Sequence, residues 1–178
     1  MASKLPSILL DADVVIHFFK AERVTLLNEL FDGRLKILDI VLSELQSNPT
    51  IKNNIDMILM FSKIETLTFS NSKMLFEYSK LANKIDGKGE RATLVYCKFN
   101  QDIIASSNTK DITPFCKDNG IAFLTTLDIL CIAVKKGNIT DYDANQMINL
   151  ILSKGSYLCC KKVKDHFKNH FDSKKLLY

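Results

Sequence analysis

Five short, continuous apolar runs alternate along the chain with longer segments of helical periodicity. Continuous apolar runs are typical of strands that helices cover on both faces, as in parallel sheets. The runs predict strands at residues 6–11, 35–40, 64–68, 102–106 and 121–124. This alternation predicts an α/β fold of three layers, α/β/α, with a short central parallel sheet.

The segments between the runs carry apolar residues at helical spacing, together with residues that commonly begin or end helices. Asn48-Pro49 is one candidate helix start and Ser70 or Asn71 another, and Gly120 and Gly155 stand where a glycine often follows a helix. The predicted helices lie near residues 21–31, 41–47, 49–61, 71–84, 87–100, 109–120, 126–138 and 139–155.

Length and charge limit the class of protein. The 178 residues are 47% hydrophobic and 25% charged, which is typical of a globular domain, and no linker, repeat or low-complexity tract divides them. We therefore predict a single domain over residues 1–178, with a basic helical segment at about 156–178. Residues 154–178 contain seven lysines and two aspartates. This charge favours a polyanionic partner, although a solvated helix end explains it equally well.

The spacing of the cysteines and the length of the apolar runs predict where in the cell the protein is located. The five cysteines form no paired framework and no CxxC, so we expect reduced thiols in a cytoplasmic protein. No apolar run approaches the roughly 20 residues of a membrane span, and acid interrupts the short apolar patch near the N-terminus. We expect neither a signal peptide nor a membrane partner.

Acidic residues follow two predicted strands and begin a later helix. Asp11 ends the first strand, and Asp13 is predicted to cap a helix that begins at Val14. Glu44 lies in the first turns of the helix after the second strand, and Glu90 begins another helix. Because ligands gather at the carboxyl ends of parallel strands, we expect Asp11, Glu44 and Glu90 to converge on one cleft.

Converging carboxylates require a cation, because they repel one another and raise one another's pKa. A hard divalent ion such as Mg²⁺ satisfies one or two carboxylates and keeps several water molecules. An ion held in this way can activate water for attack on a phosphodiester. A simpler explanation is that each acid stands at the start of a helix because the helix dipole favours negative charge there, without any metal.

The ordered motifs LLDADVVI, VLSEL, GKGERATLVYC, IIASSNTKDI and NGIAFLTTLDIL resemble the PIN-domain family of metal-dependent nucleases over about residues 7–155. The resemblance implies that Asp11, Glu44 and Glu90 are catalytic residues and metal ligands, and that the protein cleaves single-stranded RNA with Mg²⁺ or Mn²⁺. It also suggests the toxin of a toxin–antitoxin pair, with an antitoxin protein as partner and a homodimer by analogy alone.

One position departs from the pattern of the family. Many members read T-x-D-x-D after the fourth strand, and the first of these aspartates completes the acidic site. Here Thr109 stands at that position, and Asp111 matches the second aspartate. The resemblance gives Asp111 a catalytic and metal-binding role, with Asn108 as a neutral oxygen ligand. It places Ser107 and Thr109 at the substrate.

Basic residues near these acids are candidates for holding the phosphate backbone of RNA. Lys88 and Arg91 flank Glu90, and Lys110 precedes Asp111. Lysine and arginine supply most of the sequence-independent affinity for nucleic acids. The lysine-rich segment at the C-terminal end adds positive charge.

Two other functions fit part of the pattern. The threonine at position 109 leaves open a PIN fold that binds nucleic acid or a protein partner without cleaving anything. A haloacid-type phosphatase also carries a DxD after its first strand, as Asp11 and Asp13 would supply. That class needs a later acidic pair, which is missing here.

Two histidines stand four residues apart on a predicted helix. His166 and His170 have a spacing that can hold zinc, but no third ligand follows at a suitable distance. We therefore interpret them as packing residues beside Phe167 and Phe171.

Overall fold

Five parallel strands form the central sheet of the computed structural model, which describes residues 5–178. They pair in the order β3-β2-β1-β4-β5, so that β1 lies at the centre. Each strand falls inside a predicted one, which confirms the predicted parallel sheet. The strands are β1 (Ile8–Leu10), β2 (Leu35–Leu38), β3 (Glu65–Leu67), β4 (Ile103–Ala105) and β5 (Phe123–Leu124).

Ten α-helices flank this sheet in the described residues. They are α1 (Ala12–Lys20), α2 (Thr25–Phe31), α3 (Asp39–Ser47), α4 (Ile55–Ser62), α5 (Ser72–Lys80), α6 (Lys88–Asn100), α7 (Thr109–Asn119), α8 (Thr126–Lys135), α9 (Asp141–Ser153) and α10 (Val163–Asn169). A 3₁₀ helix, Ser173–Leu177, follows α10.

The core lies on both faces of the short sheet. All three residues of β1 are fully buried, and α6 packs against β1, β2 and β4. Burial of a large apolar side chain contributes about 1.5–3 kcal/mol, so a sheet of short strands is stabilised mainly by the helices that cover it.

Several predicted helices differ from the observed ones at their ends: α2 begins at Thr25 rather than at residue 21, and α5 ends at Lys80 rather than near residue 84. Helix α1 begins at Ala12, two residues before the predicted start, because Asp11 rather than Asp13 is its N-cap. The helix predicted from residue 49 begins only at Ile55. The Asn48 side chain accepts a hydrogen bond from the backbone N–H of Thr50, and this local turn replaces the first helical turns.

The order of the strands determines where a ligand can bind. The chain builds from β1 to β3 on one side of the sheet, then returns and adds β4 and β5 on the other side of β1. Such a reversal opens a crevice outside the carboxyl ends of the two strands at which it occurs. Asp11 directly follows β1, and Ser106 directly follows β4.

The basic segment at about 156–178 contains two short helices. Helix α10 packs against α8 and α9, and the 3₁₀ helix packs against α8. A single domain over the whole chain remains a prediction. In the part of the chain that the structure describes, no helix combines the length and the apolar character needed to cross a membrane.

Candidate active site

A cleft of about 220 Å³ lies at the carboxyl ends of β1 and β4. Three of its acids are those that the sequence predicted to converge, and Asp13 is a fourth. The residues that line it are Asp11, Ala12, Asp13, Glu44, Gly87, Glu90 and Asn108.

Asp11 joins the end of β1 to the start of α1. Its backbone N–H donates to the carbonyl of Ala105 at 2.9 Å, which extends the ladder between β1 and β4 by one bond. Its side chain accepts a hydrogen bond from the backbone N–H of Ala12 at 2.9 Å and so caps the helix. The residue is 7% exposed. One carboxylate therefore links the strand, the helix and the cleft.

Asp13 lies in the first turn of α1 and faces the same cleft. Its Oδ2 accepts a hydrogen bond from the backbone N–H of Ser107 at 2.7 Å, whereas its buried Oδ1 has no partner. The prediction that Asp13 caps a helix beginning at Val14 is wrong, because Asp11 holds that position. The signal was in the sequence, since a helix capped by Asp11 places Asp13 within its first turn.

Glu44 lies on α3, and its side chain extends into the cleft past the first turn of α6. Its Oε1 accepts a hydrogen bond from the backbone N–H of Gly89 at 2.9 Å. A side chain at position 89 would conflict with this approach, because a Cβ there would lie 2.6 Å from Glu44 Oε2. The first turn of α6 is therefore shaped to receive this carboxylate.

Glu90 is the single acidic residue of α6 and is 6% exposed. Its Oε2 accepts a hydrogen bond from Asn108 Nδ2 at 3.3 Å, and its Oε1 is buried without a partner. An unpartnered buried carboxylate oxygen is costly. A ligand that supplies positive charge would remove this cost.

The electrostatics of the cleft follow from burial and from repulsion among its acids. Burial raises the pKa of Glu90 to about 8, and the charges of Asp11, Asp111 and Asp13 add to this effect. Burial and the Asp11 charge raise the pKa of Asp13 to about 7. Burial raises the pKa of Asp11 to about 6, with a smaller contribution from Glu44. The cluster therefore keeps protons near neutral pH unless a cation replaces them.

Asn108 and Asp111 lie beside this cluster. Asn108 Nδ2 donates to Asp111 Oδ2 at 2.8 Å as well as to Glu90, so its amide bridges the two acids as a donor. For Asn108 to coordinate a cation, its side-chain amide would have to rotate by half a turn, so that Oδ1 rather than Nδ2 faces the ion. Thr109 begins α7 and is exposed, and it lines a neighbouring cavity rather than the acidic cleft.

Ser107 holds the cleft in place through a hydrogen-bond network. Besides its bond to Asp13, its Oγ donates to Thr126 Oγ1 at 2.9 Å and accepts from the backbone N–H of Thr126 at 3.0 Å. Thr126 Oγ1 also contacts His17 Nδ1 at 2.8 Å. Burial and the Lys20 charge lower the pKa of His17 to about 4, so this histidine is neutral at pH 7.

The predicted phosphate-binding residues occupy different environments. Lys88, in the first turn of α6, and Lys110, in the first turn of α7, are both exposed. Arg91 is 8% exposed, and its guanidinium lies 4.6 Å from the centre of the Tyr78 ring and donates to the Tyr78 hydroxyl. Contact with a phosphate would require Arg91 to leave Tyr78.

The donor set of the cleft fits a hard divalent cation. The four lining acids supply oxygen alone, and the unpartnered oxygens of Asp13 and Glu90 are buried there. Within residues 5–178, no three of these acids bring their oxygens within 4.8 Å of one another. The cleft is thus wider than a closed coordination shell, which suits an ion that retains water.

Addition of Mn²⁺ is expected to stabilise the protein at pH 8 far more than at pH 5.5. The folded-state pKa of Asp13 and Glu90 lies above the unfolded value, so the stability of the metal-free protein falls as pH rises from about 4 to above 8. At pH 5.5, protons compete with Mn²⁺ for the carboxylates of the cleft. At pH 8, Mn²⁺ at 100 times its Kd adds about 2.7 kcal/mol, or roughly 5–10 °C in Tm. Thermal unfolding at matched ionic strength measures this, and equal shifts at both pH values would contradict it.

Gly89→Ala is expected to lower both the stability and the affinity for Mn²⁺. The new Cβ would lie 2.6 Å from Glu44 Oε2 and 2.9 Å from Val41 Cγ2, so Glu44 must move. Overpacking of this kind costs about 1–3 kcal/mol, partly offset by the better helix propensity of alanine. Urea unfolding and Mn²⁺ titration measure the two effects. Lys88→Ala, at the exposed neighbouring position, is the control and should leave both nearly unchanged.

Comparison with known protein families identifies the chain. A family model described as a PIN domain matches residues 7–170. No match to a curated protein was found. The family match confirms the resemblance seen in the sequence and the predicted three-layer α/β/α class, and it indicates a nuclease-like fold of a kind that generally depends on divalent metal and binds nucleic acid. The chain belongs to the PIN-domain family.

Proposed function

We propose that the protein is a divalent-metal-dependent endoribonuclease that cleaves single-stranded RNA. The main support is the convergence of Asp11, Glu44 and Glu90, which are distant in the sequence, on one cleft together with Asp13. The preference for single-stranded RNA comes from the likeness to the family.

The residues that would hold Mg²⁺ or Mn²⁺ are the four lining acids, with Asn108 and Asp111 beside them. When bound, such an ion supplies Lewis-acid activation of the phosphodiester and of water. The chain supplies the positioning, since backbone N–H groups fix three of the carboxylates. These pairs are Ala12 with Asp11, Ser107 with Asp13, and Gly89 with Glu44.

The exposed lysines beside the cleft are the proposed contacts to the RNA backbone. Lys88 and Lys110 stand in the first turns of α6 and α7, the helices on which Glu90 and Asp111 lie. Their charges would offset the repulsion between the acidic cleft and a polyanion. Ser107 and Thr109, which line the adjacent cavity, would face the substrate beyond Asn108.

The family likeness also supports a role as the toxin of a toxin–antitoxin pair in the cytoplasm. In that case, a small antitoxin protein would cover the cleft, and the toxin would form a homodimer. These partners rest on analogy with the family.

A second candidate function is binding of nucleic acid or protein without cleavage. It is favoured by Thr109, which stands where many family members carry an acid, and by Asn108, whose amide bridges Glu90 and Asp111 in the way a cation would.

Incubation of the purified protein with labelled single-stranded RNA separates the two candidates. We expect internal cleavage with Mg²⁺ or Mn²⁺ and none with EDTA. Glu44→Gln should abolish the cleavage, although glutamine still accepts the hydrogen bond from Gly89. The exposed Glu29→Gln, outside the cleft, is the matched control. Binding of RNA without cleavage under every metal tested would reject the nuclease and support the binding function.

A further inference from the structure

We propose that Cys159, Cys160 and His166 form a second metal site, selective for a thiophilic divalent ion such as Zn²⁺ and separate from the acidic cleft. One ligand atom from each residue lies within 4.8 Å of the other two. The set joins two sulfurs and one imidazole nitrogen, which are ligands that Zn²⁺ prefers and Mg²⁺ does not.

The distance between one pair of these ligand atoms is close to that around a bound ion. Cys159 Sγ lies 4.0 Å from His166 Nδ1. A tetrahedral zinc with Zn–S of about 2.3 Å and Zn–N of about 2.0–2.1 Å would separate these atoms by about 3.6 Å. The required contraction is small, and it falls in an irregular segment between α9 and α10 that can adjust.

His166 is held in the orientation that a metal ligand requires. Its Nε2 lies 2.9 Å from Asp128 Oδ1 in a buried pair. An ionised carboxylate only accepts hydrogen bonds, so Nε2 carries a proton, and Nδ1 is the nitrogen that faces Cys159. Metal-bound histidines commonly donate their second N–H to a carboxylate in this manner.

Asp128 is itself fixed by other partners. Lys175 Nζ donates to its Oδ2 at 2.7 Å, and the backbone N–H of Thr125 donates to the same oxygen at 2.8 Å. Asp128 is 1% exposed and His166 is 3% exposed. The imidazole is therefore positioned before any ion arrives.

The two sulfurs provide access from solvent. Cys159 is exposed and Cys160 is half-buried. Burial and the neighbouring Cys159 raise the pKa of the Cys160 thiol, so a bound ion must displace its proton. Binding as two thiolates would release two protons to the buffer and leave one coordination position for water. The bound ion would join the segment after α9 to α10 and, through Asp128, to α8.

The sequence pattern did not predict this site. The spacing from His166 to His170 suggested zinc only if a third ligand followed, whereas the structure places the other ligands before His166, at six and seven residues. Cys159 also lines a cavity of about 70 Å³ with Ser107 and Thr109, so the site borders the loop after β4.

Titration of the reduced, full-length protein with Co²⁺ under anaerobic conditions tests the proposal. We expect thiolate-to-cobalt charge-transfer absorption that saturates at one ion per chain, and displacement of Co²⁺ by Zn²⁺. Calorimetry of Zn²⁺ binding in buffers of different ionisation enthalpy should show that the unmodified protein releases about two more protons than a variant without the two thiols, since the acidic cleft is common to both. The acidic cleft has no thiolate, so Glu44→Gln should keep the absorption.

The double variant Cys159→Ser/Cys160→Ser should lose the charge-transfer absorption and bind Zn²⁺ at least 100-fold more weakly. Both positions are at least partly exposed, so the variant is expected to fold, which circular dichroism checks. Cys116→Ala, a buried cysteine outside the cluster, is the control and should keep the absorption. Absence of the absorption in the unmodified protein, or its persistence in the double variant, would overturn the proposal.

Discussion

Asp11→Asn is expected to lower the rate of RNA cleavage by roughly 1,000-fold without unfolding the protein. A metal ion contributes several kcal/mol to stabilisation of the transition state, and each loss of about 1.4 kcal/mol slows the reaction tenfold. Asparagine removes one of the carboxylates that line the cleft. It caps helices as well as aspartate does, so the bond from the backbone N–H of Ala12 is retained.

The same substitution is expected to stabilise the metal-free protein at pH 8. Burial raises the pKa of Asp11 to about 6, above its unfolded value of 3.8, so this carboxyl lowers the stability of the fold progressively between about pH 4 and pH 6, and the full loss is present above that range. Removal of that charge adds about 1–3 kcal/mol at pH 8 and little at pH 4.

Cleavage assays with Mn²⁺, together with urea unfolding at pH 4 and pH 8, measure both effects on one variant. Loss of cleavage together with a higher free energy of unfolding is expected where a charge serves function and destabilises the fold. A variant that loses both cleavage and stability would indicate that Asp11 is chiefly structural. A variant that still cleaves RNA at the original rate would reject the proposed site.

The topology and the main acids of the cleft could be predicted because both follow from local patterns. Continuous apolar runs indicate buried parallel strands, and acids after such strands meet at one edge of the sheet. Asp11 and Glu44 follow predicted strands, Glu90 begins a predicted helix, and all three line the cleft. Their metal-binding and catalytic roles remain predictions.

The contacts that depend on packing between distant segments could not be predicted. Residue type and position made Arg91 a candidate phosphate contact, but its burial over Tyr78 follows from how α5 packs on α6. Asp128 and His166 are 38 residues apart and meet only because α10 packs on α8. Periodicity in the sequence does not predict such a contact, so the buried hydrogen bonds around Asp128 could be identified only from the structure.

Asp128→Ala is expected to lower the free energy of unfolding by about 3–5 kcal/mol. Burial opposes ionisation of this carboxyl, but hydrogen bonding from His166 and the charge of Lys175 outweigh it and lower its pKa. Removal of the carboxylate leaves both partners without their acceptor and also removes half of the capping box of α8. Loss of one member of a buried ion pair typically has a cost of this size.

Asp143→Ala is the matched control, because Asp143 forms the same capping box at the start of α9 on the exposed surface, without a buried ion pair. Urea unfolding at pH 7 should show a much smaller loss for Asp143→Ala, and the difference between the variants isolates the contribution of His166 and Lys175. The folded-state pKa of Asp128 is lowered, so its contribution is present at neutral pH and disappears as pH falls through that pKa. The two variants should therefore approach each other in stability in acid. Equal losses at pH 7 would show that the cap alone, and not the hydrogen bond with His166 and the ion pair with Lys175, accounts for the role of Asp128.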